Sequence, residues 1–213
     1  MNKPVCCIFG AFPPDEPVNI PPDAFVIAAD GGYRTLLKLH RCPDLSVGDF
    51  DSLGYEPAGP VVRHPVEKDD TDMLLAVREG LRREFTTFLL YGGVGGRLDH
   101  TLANLQTLLF IRRHQAHGFL IGGGITATVI TDETIRFRKP RPGTLSVFAI
   151  DGNAQGVTLE GLFYPLSDYT VKTSFPIGVS NSFTDTDACV SVRGGSLLVL
   201  WDSAACRIED FIS

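Results

Sequence analysis

Short apolar runs alternate with helix-period stretches over the first two-thirds of the chain. Val5–Phe9 and Phe25–Ala29 are continuous runs of apolar residues, the pattern of strands buried on both faces, and each leads into a loop carrying Gly or Asp. Tyr33–His40 predicts a short helix with Leu36, Leu37 and Leu39 on or near its inner side. Leu45–Val47 predicts a brief strand that delivers Gly48-Asp49 to its carboxyl end. In Thr71–Glu84 the residues Met73, Leu74, Val77 and Leu81 recur at spacings of three and four, which predicts a helix. Phe85–Tyr91 follows as a strand, Leu98–His114 as a helix and Phe119–Ile121 as a strand. This alternation predicts an α/β domain with a largely parallel sheet flanked by helices, whose ligands bind outside the carboxyl ends of the strands.

Near Ala127 the rhythm changes. Ala127–Ile130, Ile135–Arg138, Leu145–Ile150, Gly156–Leu159, Tyr169–Thr173, Ala188–Arg193 and Ser196–Trp201 are short strands separated by turn residues, with no long helix between them. That pattern predicts an all-β C-terminal sandwich. The expected division is an α/β domain over 1–126 and a β-sandwich over 127–213, joined by a change of periodicity rather than a flexible linker.

The balance of 19 Lys plus Arg against 25 Asp plus Glu, a formal net charge of −6, argues against a general nucleic-acid or anionic-membrane surface. No apolar run reaches membrane-spanning length. The five cysteines form no C-x-x-C pair and read as small buried hydrophobes of a reducing compartment. The expectation is a cytoplasmic protein.

The acidic residues are not scattered. They gather in Asp30-Gly31-Gly32, Gly48-Asp49-Phe50-Asp51-Ser52, Glu67-Lys68-Asp69-Asp70-Thr71-Asp72 and Gly92–His100. Carboxylates repel one another, so their convergence implies a cation among them, and small neighbours leave room for a polyanion to approach the backbone. Asp49 and Asp51, two apart on a loop, can share a divalent cation, although such a pair alone is better explained by a solvated turn. Asp30 has the same position at a strand's carboxyl end. Asp72 falls in the first turn of a helix, where it suits the helix dipole, with Asp70 or Thr71 as the capping residue.

Gly92–His100 matches neither the dinucleotide fingerprint nor the common phosphate loop. Its four glycines nevertheless make a strand-to-helix loop whose N–H groups can face phosphate. Arg97 can clamp phosphate oxygens while Asp99 holds metal or orients a hydroxyl; the alternative is a surface Arg97–Asp99 pair. His100 and Asn104 share a helical face and are expected to support the loop. Trp201, the only tryptophan, ends a very apolar strand and reads at least as well as a core or rim residue as a functional one.

In order, Ala29-Asp30-Gly31-Gly32, Pro43-Asp44 with Gly48-Asp49-Phe50-Asp51-Ser52, Glu67-Lys68-Asp69 with Thr71-Asp72, and Gly95-Gly96-Arg97-Leu98-Asp99-His100 with Asn104 resemble the thiamine pyrophosphokinase family. Gly156-Val157-Thr158, Gly161–Leu166 and Gly178–Phe183 are similar to its C-terminal half. The resemblance implies a homodimer and transfer of the terminal diphosphate of ATP to thiamine, giving thiamine diphosphate and AMP. It implies Mg²⁺ held by Asp49, Asp51 and Asp72, a catalytic set of these three with Arg97 and Asp99, and ATP contacts from Asp30, Gly31, Thr71, Asp72, Arg97 and Asp99. Thiamine would meet Lys68, Ser180, Asn181 and Trp201, the sandwich of one subunit closing on the α/β domain of the other. Rival readings are a pyrophosphokinase for another heterocyclic alcohol such as a hydroxymethylpterin, a metal-dependent glycosyltransferase using Asp49-Phe50-Asp51, and a non-catalytic thiamine or nucleotide sensor.

Overall fold

The computed structural model describes residues 5–51, 53–63 and 70–212. Two compact units are present, the first ending at Gly123 and the second beginning at Gly124.

The first unit runs β1 (Cys6–Phe9), β2 (Phe25–Ala29), α1 (Gly32–Lys38), β3 (Leu45–Gly48), β4 (Val61–Arg63), α2 (Asp72–Arg82), β5 (Thr87–Tyr91), α3 (Leu98–Arg113) and β6 (His117–Gly122). Its strands lie in the order β6-β5-β1-β2-β3-β4, and every pair is parallel. β1 is wholly buried, and the side chains of Cys6, Cys7, Ile8 and Phe9 are fully shielded from solvent. That explains its unbroken apolar sequence, because helices cover a parallel sheet. Burial pushes the Cys7 thiol up to about 12 and the Cys6 thiol higher still, so both remain protonated packing groups.

Two helices pack differently from their sequence pattern. In α1 only Leu36 of the three leucines is buried, while Leu37 and Leu39 are exposed. The helix ends at Lys38, and a helix this short turns only one side to the sheet. In α2 the buried set is Met73, Leu75, Ala76, Val77, Glu79 and Gly80, a broader face than the three-four repeat predicts. Glu79 is buried there, with Arg83 Nη1 at 2.6 Å from its Oε2 and Arg82 on its other oxygen. Strand β4 carries no strong apolar signal and follows Pro60, and it was not expected from the sequence.

The second unit contains β7 (Ile125–Thr131), β8 (Thr134–Phe137), β9 (Thr144–Ala149), β10 (Ala154–Glu160), β11 (Leu166–Val171), β12 (Asn181–Ser182), β13 (Ala188–Ser191), β14 (Ser196–Asp202) and α4 (Glu209–Ile212). Two antiparallel sheets form, β12-β9-β14-β7 and β11-β10-β13-β8. Alternate burial along β8 marks a sheet with one dry face. Aromatic rings join the two sheets: Phe137 of β8 lies 5.3 Å from both Phe183 and Trp201 of the other layer, and Phe211 of α4 caps the cluster 5.1 Å from Trp201.

Candidate active site

Because the strands of the first unit are parallel, their carboxyl ends open on one side, and there a cleft of about 340 Å³ lies. Its floor is backbone. A Cβ on Gly92 would stand 2.2 Å from the Phe12 carbonyl oxygen. A Cβ on Gly10 would meet the Gly92 oxygen at 2.8 Å. Only glycine allows chain segments to approach this closely.

The walls carry the acids. Asp30 at the end of β2, Asp49 just past β3, and Asp70, Thr71 and Asp72 at the start of α2 all line the cleft. Asp30 has φ 41 and Phe50 φ 65, left-handed backbone at non-glycine positions on either side of Asp49 in the fold. The Asp49 Oδ1 accepts the Asp51 N–H at 3.0 Å, folding the loop into an Asx turn. Thr71 is the N-cap of α2, its Oγ1 accepting the Leu74 N–H at 3.2 Å. That cap settles the orientation of Asp72 in the first turn, and Asp70 is engaged instead with Arg78 at 3.0 Å.

Asp72 is the electrostatic centre. Burial first, then the negative charges of Asp30 and Asp49, raise its carboxyl to about 6, with His100 opposing the shift. Three carboxylates therefore sense one another across the cleft. Among the described residues no three acidic, His or Cys side chains are arranged to hold an ion by themselves.

The structure does not bring every expected residue to the cleft. Gly31, Asp51, Arg97 and Asp99 lie outside its lining. Arg97 and Asp99 form the exposed bidentate pair that was the alternative reading, Nη2–Oδ2 at 2.5 Å and Nε–Oδ1 at 3.1 Å. Each holds the other charged, raising the Arg97 pKa and lowering that of Asp99. Lys68 lies outside the described residues.

Two expectations for thiamine are corrected. Trp201 is 1% exposed, its ring lies against Phe137 and Phe211, and its indole N–H donates to the Cys206 carbonyl oxygen at 3.2 Å. It is a core residue of the sandwich with no face open for stacking. Asn181 is 2% exposed, and its amide is spent on Tyr164: Oδ1 accepts the Tyr164 N–H at 2.9 Å, and Nδ2 donates to the Tyr164 oxygen at 2.7 Å. It shapes the turn that exposes Phe163 and Tyr164 rather than lining a pocket. Ser180 keeps an exposed side chain at φ 54, its N–H bound to Ser146 Oγ at 2.9 Å.

Sequence reasoning missed Gly10, Ala11, Phe12, Met73 and Leu75 as cleft residues. Met73 and Leu75 were hidden because an apolar residue in the first turn of a helix reads as core. Gly10, directly after an apolar strand, was the available signal. His100 and Asn104 both line the cleft: Asn104 is buried and its Nδ2 donates to the Gly93 oxygen at 2.8 Å, supporting the loop, whereas His100 is exposed.

A glycine-floored, acid-walled cleft at the carboxyl ends of parallel strands, in a chain that also carries a separate antiparallel sandwich, defines a two-domain α/β enzyme of the phosphate-handling class. The catalytic-domain model of thiamin pyrophosphokinase matches residues 20–120, and the vitamin B1 binding domain model of the same family matches residues 132–197. The chain belongs to the thiamin pyrophosphokinase family. It is 27% identical over 190 residues to the thiamine pyrophosphokinase of Bacillus subtilis, covering 82% of this chain and 85% of that protein. The crystal structure of a thiamin pyrophosphokinase family protein from Enterococcus faecalis superposes with a TM-score of 0.81 at 27% identity, over 93% of this chain and 98% of that one. The B. subtilis crystal structure gives a TM-score of 0.82 over 93% and 98% at 23% identity, a likeness of fold.

Proposed function

We propose that this chain transfers the terminal diphosphate of ATP to the hydroxyl of thiamine, giving thiamine diphosphate and AMP. The observation that carries the reading is the meeting of Asp30, Asp49 and Asp72 in one cleft, within a chain of this family. The hydroxyethyl oxygen of thiamine forms a bond to the β-phosphorus as the bridge to the α-phosphate breaks. AMP leaves and the hydroxyl proton is released.

Attack at the β-phosphorus requires charge to be neutralised along the whole triphosphate. Asp49, Asp51 and Asp72 are assigned to Mg²⁺, which would supply neutralisation of phosphate charge. Asp51 is exposed, and its N–H binds the Asp49 Oδ1 in the same loop. Asp30, Gly31 and Thr71 are assigned to the nucleotide. Arg97 exchanges its exposed partner Asp99 for phosphate oxygens, a low-cost exchange because both side chains are largely solvated. The first unit is then the nucleotide, metal and catalytic domain, and the second the thiamine and dimerisation domain. Lys68 and Ser180 are assigned to thiamine, with Asn181 positioning the neighbouring turn. The working protein is assigned as a cytoplasmic homodimer. Among the described residues no helix is long and apolar enough to cross a membrane.

Mass analysis of the products from ATP, Mg²⁺ and thiamine tests the reading. Equal amounts of thiamine diphosphate and AMP are expected. ADP with thiamine monophosphate places attack at the γ-phosphorus and sinks it, as does turnover of a pterin alcohol in place of thiamine.

A further inference from the structure

The described walls of the cleft contain four carboxylates, from Asp30, Asp49, Asp70 and Asp72, and neither Lys nor Arg. A triphosphate entering such a wall meets repulsion on all sides but one. The exception is His100, the only lining side chain among the described residues that can carry positive charge. It stands in the first turns of α3, one helical turn before Asn104, whose amide anchors the glycine loop through the Gly93 oxygen. That anchoring fixes the helix start from which His100 projects.

His100 is exposed, and its imidazole makes no hydrogen bond with a described residue; its backbone N–H is held by Asp99 Oδ1 at 3.0 Å. It lies close enough to Asp72 for its charge to be felt there, yet it is not bonded to that carboxylate. Arg97, the other basic group of this loop, has its fork filled by Asp99. A residue kept for the fold would have its ring nitrogens paired or packed. His100 instead presents them to the cleft, with its backbone secured on both sides by Asp99 and the helix.

We propose that His100 is a nucleotide-contacting residue whose imidazole N–H donates to a phosphate oxygen of ATP in this cleft. The inference rests on the diphosphate-transfer reading and adds to Arg97, which must first leave Asp99, a donor already at the described lining of the cleft. Its role is to bind and orient the phosphate chain against the carboxylates, so it concerns the nucleotide and not thiamine.

The test uses the full-length protein with His100→Ala and His100→Gln, the latter keeping an N–H donor without the ring. Binding of α,β-methylene-ATP with Mg²⁺ is measured by calorimetry, and KM for ATP and for thiamine are measured separately. His100→Ala is expected to weaken analogue binding and raise the ATP KM about tenfold, the scale of one lost hydrogen bond to a charged group. His100→Gln should recover most of that loss, with thiamine KM and melting temperature unmoved in both variants. Unchanged analogue affinity in His100→Ala overturns the proposal. So does a loss of affinity that accompanies a fall in melting temperature in both variants, which assigns His100 to the fold. If the wild-type protein binds the analogue but makes no AMP from ATP and thiamine, the transfer reading fails while the titration still decides the role of His100.

Discussion

A Cβ placed on Gly48 would stand 3.2 Å from the Asp30 Cβ, so the ends of β2 and β3 meet at a position where a side chain would press on Asp30. Gly48 also has φ 148, outside the range that other residues adopt readily. Gly48→Ala is therefore expected to push Asp30 off its place in the cleft. Turnover should fall by roughly ten- to a hundredfold, and stability by about 1–3 kcal/mol, the cost of strained backbone. Steady-state kinetics and urea unfolding measure the two effects separately.

Asp72 gives the apo protein a pH signature. Its carboxyl is raised from 3.8 to about 6, so within that window the folded chain holds more protons than the unfolded chain. Stability must then fall as pH rises through the window. Asp72→Asn removes this dependence and should make the metal-free protein more stable above it, by about 1–2 kcal/mol once solvent screening of the part-exposed carboxyl is allowed for. Activity should drop roughly a hundredfold or more with loss of the charge. Denaturant titrations at both ends of the window, without metal, would show the opposite slope if Asp72 were stabilising.

Asn181 predicts a stability effect in the second unit. Asn181→Ala breaks both amide bonds to the Tyr164 backbone and leaves that turn unsupported. A loss of about 1–3 kcal/mol is expected from removing a buried partner. Proteolysis in the turn near Phe163 should become faster, while ATP affinity stays constant. A variant as stable as the parent would remove the positioning role.

For Trp201 the expected cost is also structural. Trp201→Phe opens space beside Phe137 and Phe211 and leaves the Cys206 carbonyl without its indole donor. Stability should fall by about 1–3 kcal/mol. Thiamine KM should not move, and the native fluorescence should be blue-shifted and insensitive to thiamine by direct contact. A raised thiamine KM without loss of stability would return the tryptophan to the ligand.

Much of this was legible in the sequence because the signals were local. Runs such as Cys6–Phe9 and Phe25–Ala29 are apolar without alternation, and they became strands buried on both faces. Asp30 and Asp49 were readable as site residues because each directly follows such a strand. What stayed hidden depended on contacts distant in the chain. Trp201 and Asn181 lie near substrate-like motifs in sequence, but Phe137 and Tyr164 decide where their side chains go. Likewise, the chain itself cannot say that Arg97 meets Asp99 across two residues while His100 turns to the cleft. Sequence order places a residue on an element; only packing chooses its partner.

The floor of the cleft has a consequence for how such a site can diversify. Gly10 and Gly92 bring main-chain carbonyls where side chains would otherwise stand. Nothing can be tuned there by substitution, since even one methyl group collides with backbone. The base of the site is thus closed to mutational exploration, and any change in ligand preference must be made on the rim, by residues such as Phe12, Met73 and Leu75. A library confined to those three positions samples the accessible variation, whereas one that includes the glycines spends its members on unfolded chains.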